Sequence, residues 1–283
     1  ESPGQLADGF QGGPLAARLD VGDEGSGDGG ALAQLFERYP QAYYDLLNLG
    51  FRFGIAAGSD FPYGAFIGAN RTYVYSGPDR PFTPDDWFRG LKEGRTFITQ
   101  GPVVDFRVDK ERPGAVLKRR RGESLSISVR TQAHPLVGSP RKITLICFGE
   151  HLRELESNDP SFASMEGHWK IEVNESLWLA VRIDAHNGAI AHTSPIYVEV
   201  DGHPTRHPRR FARLAREAVQ RLVAAEETLD GLRQGRKTAL LRNRDYAYWA
   251  SQNPEPFKRR LRKARRYYEG LLDRVSKPAV QPG

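Results

Sequence analysis

The sequence predicts an α/β region followed by an all-β sandwich and closed by an α-helical hairpin. Three observations predict it. Between residues 31 and 101, helical spacing of apolar residues alternates with short apolar runs, which is the pattern of α/β architecture. From Pro102 to about residue 201 the apolar period falls to two, the period of half-buried strands. Beyond that, apolar residues recur seven apart among arginines, as on amphipathic helices.

Residues 1–30 hold nine glycines, scattered acids and no periodicity, so they predict a linker or disordered arm. Leu32, Leu35, Phe36 and Tyr39, then Tyr43, Leu46 and Leu47 after Pro40, follow helical spacing, with Gly50 as C-cap. A buried strand is expected next, ending at Asp60, and another over 71–75. Thr83 before Pro84-Asp85-Asp86 supplies an N-cap hydroxyl, a first-turn proline and two acids at the positive end of a helix that closes at Gly94. Arg95–Thr99 reads as a strand broken by Gly101-Pro102. The two or three such units in 31–101 are too few to close an eight-unit barrel.

From residue 102 to 201, alternation predicts six strands, centred on Val104–Val108, Leu125–Val129, Ile143–Cys147, Trp169–Val173, Leu177–Ile183 and Ile196–Val200. With turn residues between them they make a small antiparallel sandwich. The basic run Lys118–Arg121 falls in a connection and reads as a solvated loop. In 202–283, Phe211, Ala218, Ala225 and Leu232 with Ala215, Leu222 and Leu229 form one stripe; Phe257, Leu261, Ala264, Tyr268, Leu271 and Val275 form a second. Two such helices form a hairpin.

The chain of 283 residues is long enough for one large or two ordinary domains. No apolar run approaches the ~20 residues of a membrane-spanning helix, so a soluble protein is expected, in a compartment the sequence does not specify. No basic-then-apolar leader opens the chain, which implies a signal absent or already removed. The single cysteine, Cys147, excludes an internal disulfide and a cysteine-built zinc site, and its alternation with Ile143 and Leu145 makes it a core residue. The net charge of +6 conceals an asymmetry: His203–Lys277 carries 20 Lys plus Arg against 8 Asp plus Glu, the remainder 21 against 27. The basic part could attract polyanions.

One stretch looks arranged for chemistry. Gly50–Gly58 is a short run rich in apolar and small residues, after which Ser59-Asp60 delivers a carboxylate where Pro62 stops the run. A strand presents a ligand at its carboxyl end in this way; an acid after a Gly-Ser turn is equally an ordinary loop residue.

Several strings then combine: Tyr44-Asp45-Leu46-Leu47-Asn48-Leu49-Gly50-Phe51-Arg52, Ala57-Gly58-Ser59-Asp60, Arg71-Thr72-Tyr73-Val74, and Gly94-Arg95-Thr96-Phe97-Ile98-Thr99-Gln100-Gly101-Pro102. In this order they resemble the closing part of the CehA/McbA branch of the PHP (polymerase and histidinol phosphatase) metallohydrolases. Ala191–Val198 also resembles a segment of that family. The resemblance spans roughly residues 31–201 and implies that 31–101 is the C-terminal remnant of a PHP-type β/α barrel. It also implies a divalent metal ion (zinc, manganese or iron) and a metal-bound water that attacks an amide, ester, carbamate or phosphoester bond of a small-molecule substrate. Family-like ligation needs a His-x-His near the start of the barrel, and this sequence has none; its first histidine is His134, and position 62 is Pro62. Asp60 alone matches as a metal ligand.

The expectation is therefore the back part of a hydrolase, inactive by itself, with a partner chain or a missing N-terminal barrel half supplying the other ligands. Arg71 and Arg95 beside their strands either bind an anionic substrate group or serve packing and pairing. His192 either joins sandwich to barrel remnant by a hydrogen bond or ligates metal. His203 and His207 lie four apart, but Pro204 and Pro208 disfavour a helix that would put them on one face. The alternative function is a non-catalytic binding module that uses the sandwich and basic helices to hold a partner protein or polyanion. Nucleic acid is set aside because Tyr267 and Tyr268 fall on or beside the apolar stripe.

Overall fold

The computed structural model describes residues 41–59, 67–77, 83–233, 252 and 254–276. The Gly-rich arm, the helical spacing over 32–39, and Asp60 lie outside them. The chain divides into two compact units, residues 1–207 and 208–283.

In the first unit, residues 41–48 are helical (α1), and Gly50 ends the turn with φ +91, a conformation glycine adopts without cost. Strand β1 (Arg71–Val74) precedes α2 (Pro84–Lys92), whose start follows the expected pattern: the Thr83 hydroxyl accepts from the Asp86 N–H and Pro84 opens the helix. Then come β2 (Thr96–Thr99), β3 (Val103–Val108), β4 (Val116–Arg119), β5 (Glu123–Gln132), β6 (Pro140–Cys147), β7 (Glu150–Glu156), β8 (Ser164–Val173), β9 (Leu177–Ala185), β10 (Ile190–Thr193) and β11 (Ile196–Val200).

The strands make two sheets. In the smaller, β5 lies between β3 and β8, all antiparallel. In the eight-stranded sheet β9 is central. Strand β6, itself paired with β7, runs along one side of it; β10 and β11 share the other side, opposite Arg182–Asp184 and Leu177–Leu179 respectively. Between them Ser194-Pro195 breaks the line. From that break β10 pairs onward to β2 and β1, and β11 to β4, the latter a parallel pairing. The core between the sheets takes Phe106, Leu125, Ile127 and Val129 from one side, and Ile143, Leu145, Val181, Ile183 and Ile196 from the other, all buried.

A sandwich-like arrangement is thus present, with two corrections. The six expected strands are nine between Val103 and Val200. Those missed, β4, β7 and β10, are short or polar, and β7 is exposed at nearly every position, so no buried face imposes alternation on it. Lys118 and Arg119, read as loop, end β4. In addition, β1 and β2 pair antiparallel and extend the sandwich's own sheet through β10.

The run 51–59, expected as a buried strand, belongs to no ladder. Its backbone is bonded by side-chain hydroxyls instead. Thr72 Oγ1 donates to Ala57 O and accepts from Ala57 N–H, both at 2.8 Å. Thr96 Oγ1 donates to Ile55 O at 2.7 Å, and Ser194 Oγ accepts from Ile55 N–H at 2.8 Å. The Tyr197 hydroxyl accepts from Phe53 N–H at 3.2 Å, while Tyr43 donates to Phe53 O at 3.2 Å. The segment therefore crosses the sheet from β11 to β1. It lies with α1 over the outer face, which explains why β9 is buried on both faces over Leu177–Val181.

In the second unit, α3 (Phe211–Arg233) and α4 (Pro254–Ser276) pack on each other. Asp230 pairs with Lys258 and Glu226 with Arg262; the partner numbers run in opposite directions, so the helices are antiparallel, as a hairpin requires.

Candidate functional site

Residue 59 marks where the predicted site begins, and the structure surrounds it with a polar network. Ser59 Oγ accepts from Gly68 N–H at 2.9 Å and donates to Asn70 O at 3.4 Å. Asn70, buried, accepts through Oδ1 from Gln100 Nε2 at 3.1 Å. Gln100 Oε1 accepts from Ile190 N–H at 3.2 Å, and Arg71 Nη2 donates to Gln100 O at 2.9 Å. Arg71 Nε is buried and makes no hydrogen bond among the described residues.

Arg95 is elsewhere. The register sets Arg71 opposite Thr99 and Val74 opposite Thr96, so the two arginines occupy opposite ends of a four-residue ladder. Arg95 forms an ion pair with Glu93 at 3.1 Å. It lines a groove of about 290 Å³ with Tyr73, Phe97, Val103 and Arg112. In this groove Tyr73 and Phe97 stack at 5.0 Å, and the Arg112 guanidinium lies 3.9 Å from the centre of the Tyr75 ring.

His192 is buried in β10, facing α1. Its Nδ1 is 2.8 Å from Thr193 O and its Nε2 is 2.6 Å from the Tyr44 hydroxyl. A carbonyl oxygen only accepts, so Nδ1 carries the proton and Nε2 accepts from Tyr44. Burial lowers the imidazole pKa to about 4, and burial likewise raises that of the Tyr44 hydroxyl. With one nitrogen protonated and the other lone pair engaged, His192 offers no electron pair to a metal. It fastens α1 to the sheet.

Beside Tyr44 a cavity of about 350 Å³ is lined by Arg141, Lys142, His151, Arg182 and Asp184. Its cations are held in ion pairs, Arg182 with Asp184 at 2.7 Å and Lys142 with Glu154 at 2.8 Å.

The fit of a divalent cation can be judged from these groups. Around Ser59 the described residues supply two amides and a guanidinium, and a guanidinium repels a cation. Among the described residues no group of three or more His, Cys, Asp or Glu could hold a metal ion. The described part of the site thus offers no carboxylate or imidazole to a cation, and Asp60 lies outside it.

Sequence reasoning missed Asn70, Gln100 and the hydroxyl set Thr72, Thr96, Ser194 and Tyr197. Their signal was inside the motif strings. Thr96 and Gln100 belong to the Gly-Arg-Thr-Phe-Ile-Thr-Gln-Gly-Pro string, where Thr99 Oγ1 also donates to Pro102 O at 2.6 Å and accepts from Gly101 N–H at 2.9 Å. Gly94 is fixed there by φ +72 and by the Gly54 backbone, whose Cα is 3.3 Å from where a Gly94 Cβ would stand.

No family model and no curated protein matches the chain. Among solved structures it is similar to the fibronectin(III)-like modules of Clostridium thermocellum CbhA, at 15% identity and a TM-score of 0.25, over 35% of this chain and 98% of that one. Similarity also extends to the sporulation control protein Spo0M of Bacillus subtilis, at 11% identity and TM-score 0.23, over 44% of this chain and 55% of that one. The major pilin subunit BcpA of Bacillus cereus matches at 11% identity and TM-score 0.25, over 49% of this chain and 50% of that one.

Proposed function

We propose that the chain is the C-terminal portion of a PHP-type metal-dependent hydrolase, acting on amide, ester, carbamate or phosphoester bonds, and that it does not turn over substrate alone. The observation that supports this reading is the one-sided bonding of 51–59. In an extended chain, alternate residues direct their backbone groups to opposite edges. Phe53, Ile55 and Ala57 are all bonded on one edge. Gly54, Ala56 and Gly58, on the other, make no backbone hydrogen bond among the described residues. An edge of this kind accepts a further strand, and it leads directly into Ser59-Asp60.

When bound, a divalent metal would supply an activated water and charge stabilisation. Asp60 is this chain's ligand toward it. The other ligands have to come from a partner chain or an N-terminal barrel half. The residues of this chain position rather than react: the Ser59–Asn70–Gln100 network fixes the end of the segment, and Arg71, partly exposed, sets its guanidinium beside that network, where it can hold an anionic substrate group.

The test is the nucleotide sequence immediately before the codon for Glu1. An open frame encoding His-x-His supports the reading, and a start codon with no such frame overturns it. The alternative, a non-catalytic binding module, is favoured by the exposed cations of α4.

A further inference from the structure

We infer that the outer edge of β8 joins two copies of this chain, β8 pairing antiparallel with β8 of the second copy. The inference is independent of the hydrolase reading. Ala133 N–H donates to Ala163 O at 2.8 Å, and Ser126 O accepts from Asp109 N–H at 2.8 Å. Strand β5 therefore turns the backbone of its odd-numbered residues to β8 and that of its even-numbered residues to β3. In the β5–β8 register odd residues oppose odd, so the N–H and C=O groups of Ser164, Glu166, His168, Lys170 and Glu172 point away from the sheet. All five residues are exposed. Among the described residues none of these backbone groups has a hydrogen-bond partner. An unpaired edge of this kind is a template for another strand. The common defences are lacking: β8 has no proline, and its pairing with β5 runs without the irregularity that interrupts β7 against β6.

Charge and side-chain type select a second copy as that strand. With His168 on the two-fold axis of an antiparallel pair, Glu166 faces Lys170 of the second copy, and Lys170 faces Glu166 of the second copy. The adjacent registers set Glu166 against Glu172, or Lys170 against Ser164. Lys170 makes no ion pair among the described residues. Glu166 is held by Arg130 at 3.2 Å and by His168 at 3.0 Å, and a carboxylate has lone pairs left for a lysine. On the core-facing side the same register opposes Ile171 to Met165 of the second copy, and Trp169 to Gly167 of the second copy. Trp169 and Ile171 are only partly buried in one chain. The Trp169 indole leans over its own Gly167, so the two indoles meet beside the axis. Opposite-charge and aromatic cross-strand pairs both stabilise a sheet.

The test is sedimentation velocity of the full 283-residue chain at about 50 mM NaCl, where surface ion pairs are little screened. A contact of two strands lies at the small end of specific interfaces, so the dimer is expected at micromolar concentration, and a series from about 1 to about 200 µM brackets it. The mass should rise from 31.7 kDa to twice that value. Lys170→Glu sets an acid against Glu166 on both sides of the axis and should raise the Kd of the dimer about tenfold or more. Glu166→Lys/Lys170→Glu exchanges the signs and should return the Kd to within about threefold of the original. Both side chains are in solvent, so the melting temperature of the dilute chain should be nearly unchanged in either variant. Hydrogen exchange over residues 164–172 should slow as the chain is concentrated. A chain that stays monomeric at the highest concentration, a dimer that Lys170→Glu leaves intact, or one that the exchange of signs does not restore overturns the proposal. So does a dimer whose exchange over 164–172 is independent of concentration, which would put the contact on another face.

Discussion

Thr96 and Ser194, 98 positions apart, share a hydrogen bond of 2.6 Å and between them hold both backbone groups of Ile55. Thr96 gives its one hydroxyl proton to Ile55 O, so Ser194 donates to Thr96 while accepting from Ile55 N–H. Thr96→Val keeps the shape and deletes the donor, leaving the buried Ile55 carbonyl and the Ser194 hydroxyl short of a partner. A loss of about 1–3 kcal/mol is expected, measured by denaturant unfolding; Thr96→Ser should recover most of it.

Gly54 is confined by packing against a neighbour's backbone. A Cβ on it would lie 2.6 Å from Gly94 Cα, and neither backbone can yield without moving the 51–59 segment or the α2–β2 turn. Gly54→Ala should therefore cost about 1–3 kcal/mol, the range for overpacking. Gly58→Ala, where a Cβ meets nothing within 4 Å, should leave the melting temperature nearly unchanged.

Asn48 is fully buried and serves three elements. Its Nδ2 donates to Phe148 O at 3.1 Å, its Oδ1 accepts from Trp178 Nε1 at 2.9 Å, and its own carbonyl accepts from His207 N–H at 2.9 Å. Asn48→Leu strands the indole N–H and the Phe148 carbonyl together, for an expected loss of about 2–5 kcal/mol. Asn48→Ser should be less damaging if its hydroxyl still reaches one partner. Thermal melts of the two variants compare them directly.

The pH dependence follows from His192. Its pKa is about 4 when folded against an ordinary 6.5, so between these values the unfolded chain binds more protons and stability rises with pH. Stability is present in full above about pH 6.5, falls as the pH drops, and levels off below about pH 4, for a total of about 3 kcal/mol. In His192→Gln, where an amide oxygen can still accept from Tyr44, this part of the pH dependence should vanish. Urea unfolding at pH 7 and pH 4.5 measures the difference.

The sandwich was legible because Leu125, Ile127 and Val129 alternate with residues facing solvent, so burial of one face is written as a period of two. The α2 start was legible because Thr83 and Pro84 act locally. The run 51–59 was misread for a reason the same logic exposes: its composition is that of a buried strand, and burial is what composition reports. Whether its backbone meets another backbone or a set of hydroxyls is decided by Thr72, Thr96, Ser194 and Tyr197, up to 144 positions away. Tyr267 and Tyr268 show the same limit on a helix, where adjacent residues beside one stripe differ by 100° and only tertiary packing makes Tyr268 the less exposed of the two. His192 was singled out by residue type, but its tautomer, and with it its inability to ligate, depends on Thr193 O and Tyr44.

The proposed function makes this chain one wall of a metal site that it does not complete by itself. Hydrolysis of p-nitrophenyl esters and phosphates by the purified chain, with zinc or manganese added, tests it most directly. The account predicts no saturable metal-dependent turnover and the same background rate in Asp60→Ala. Stoichiometric, metal-dependent turnover that Asp60→Ala abolishes would contradict it.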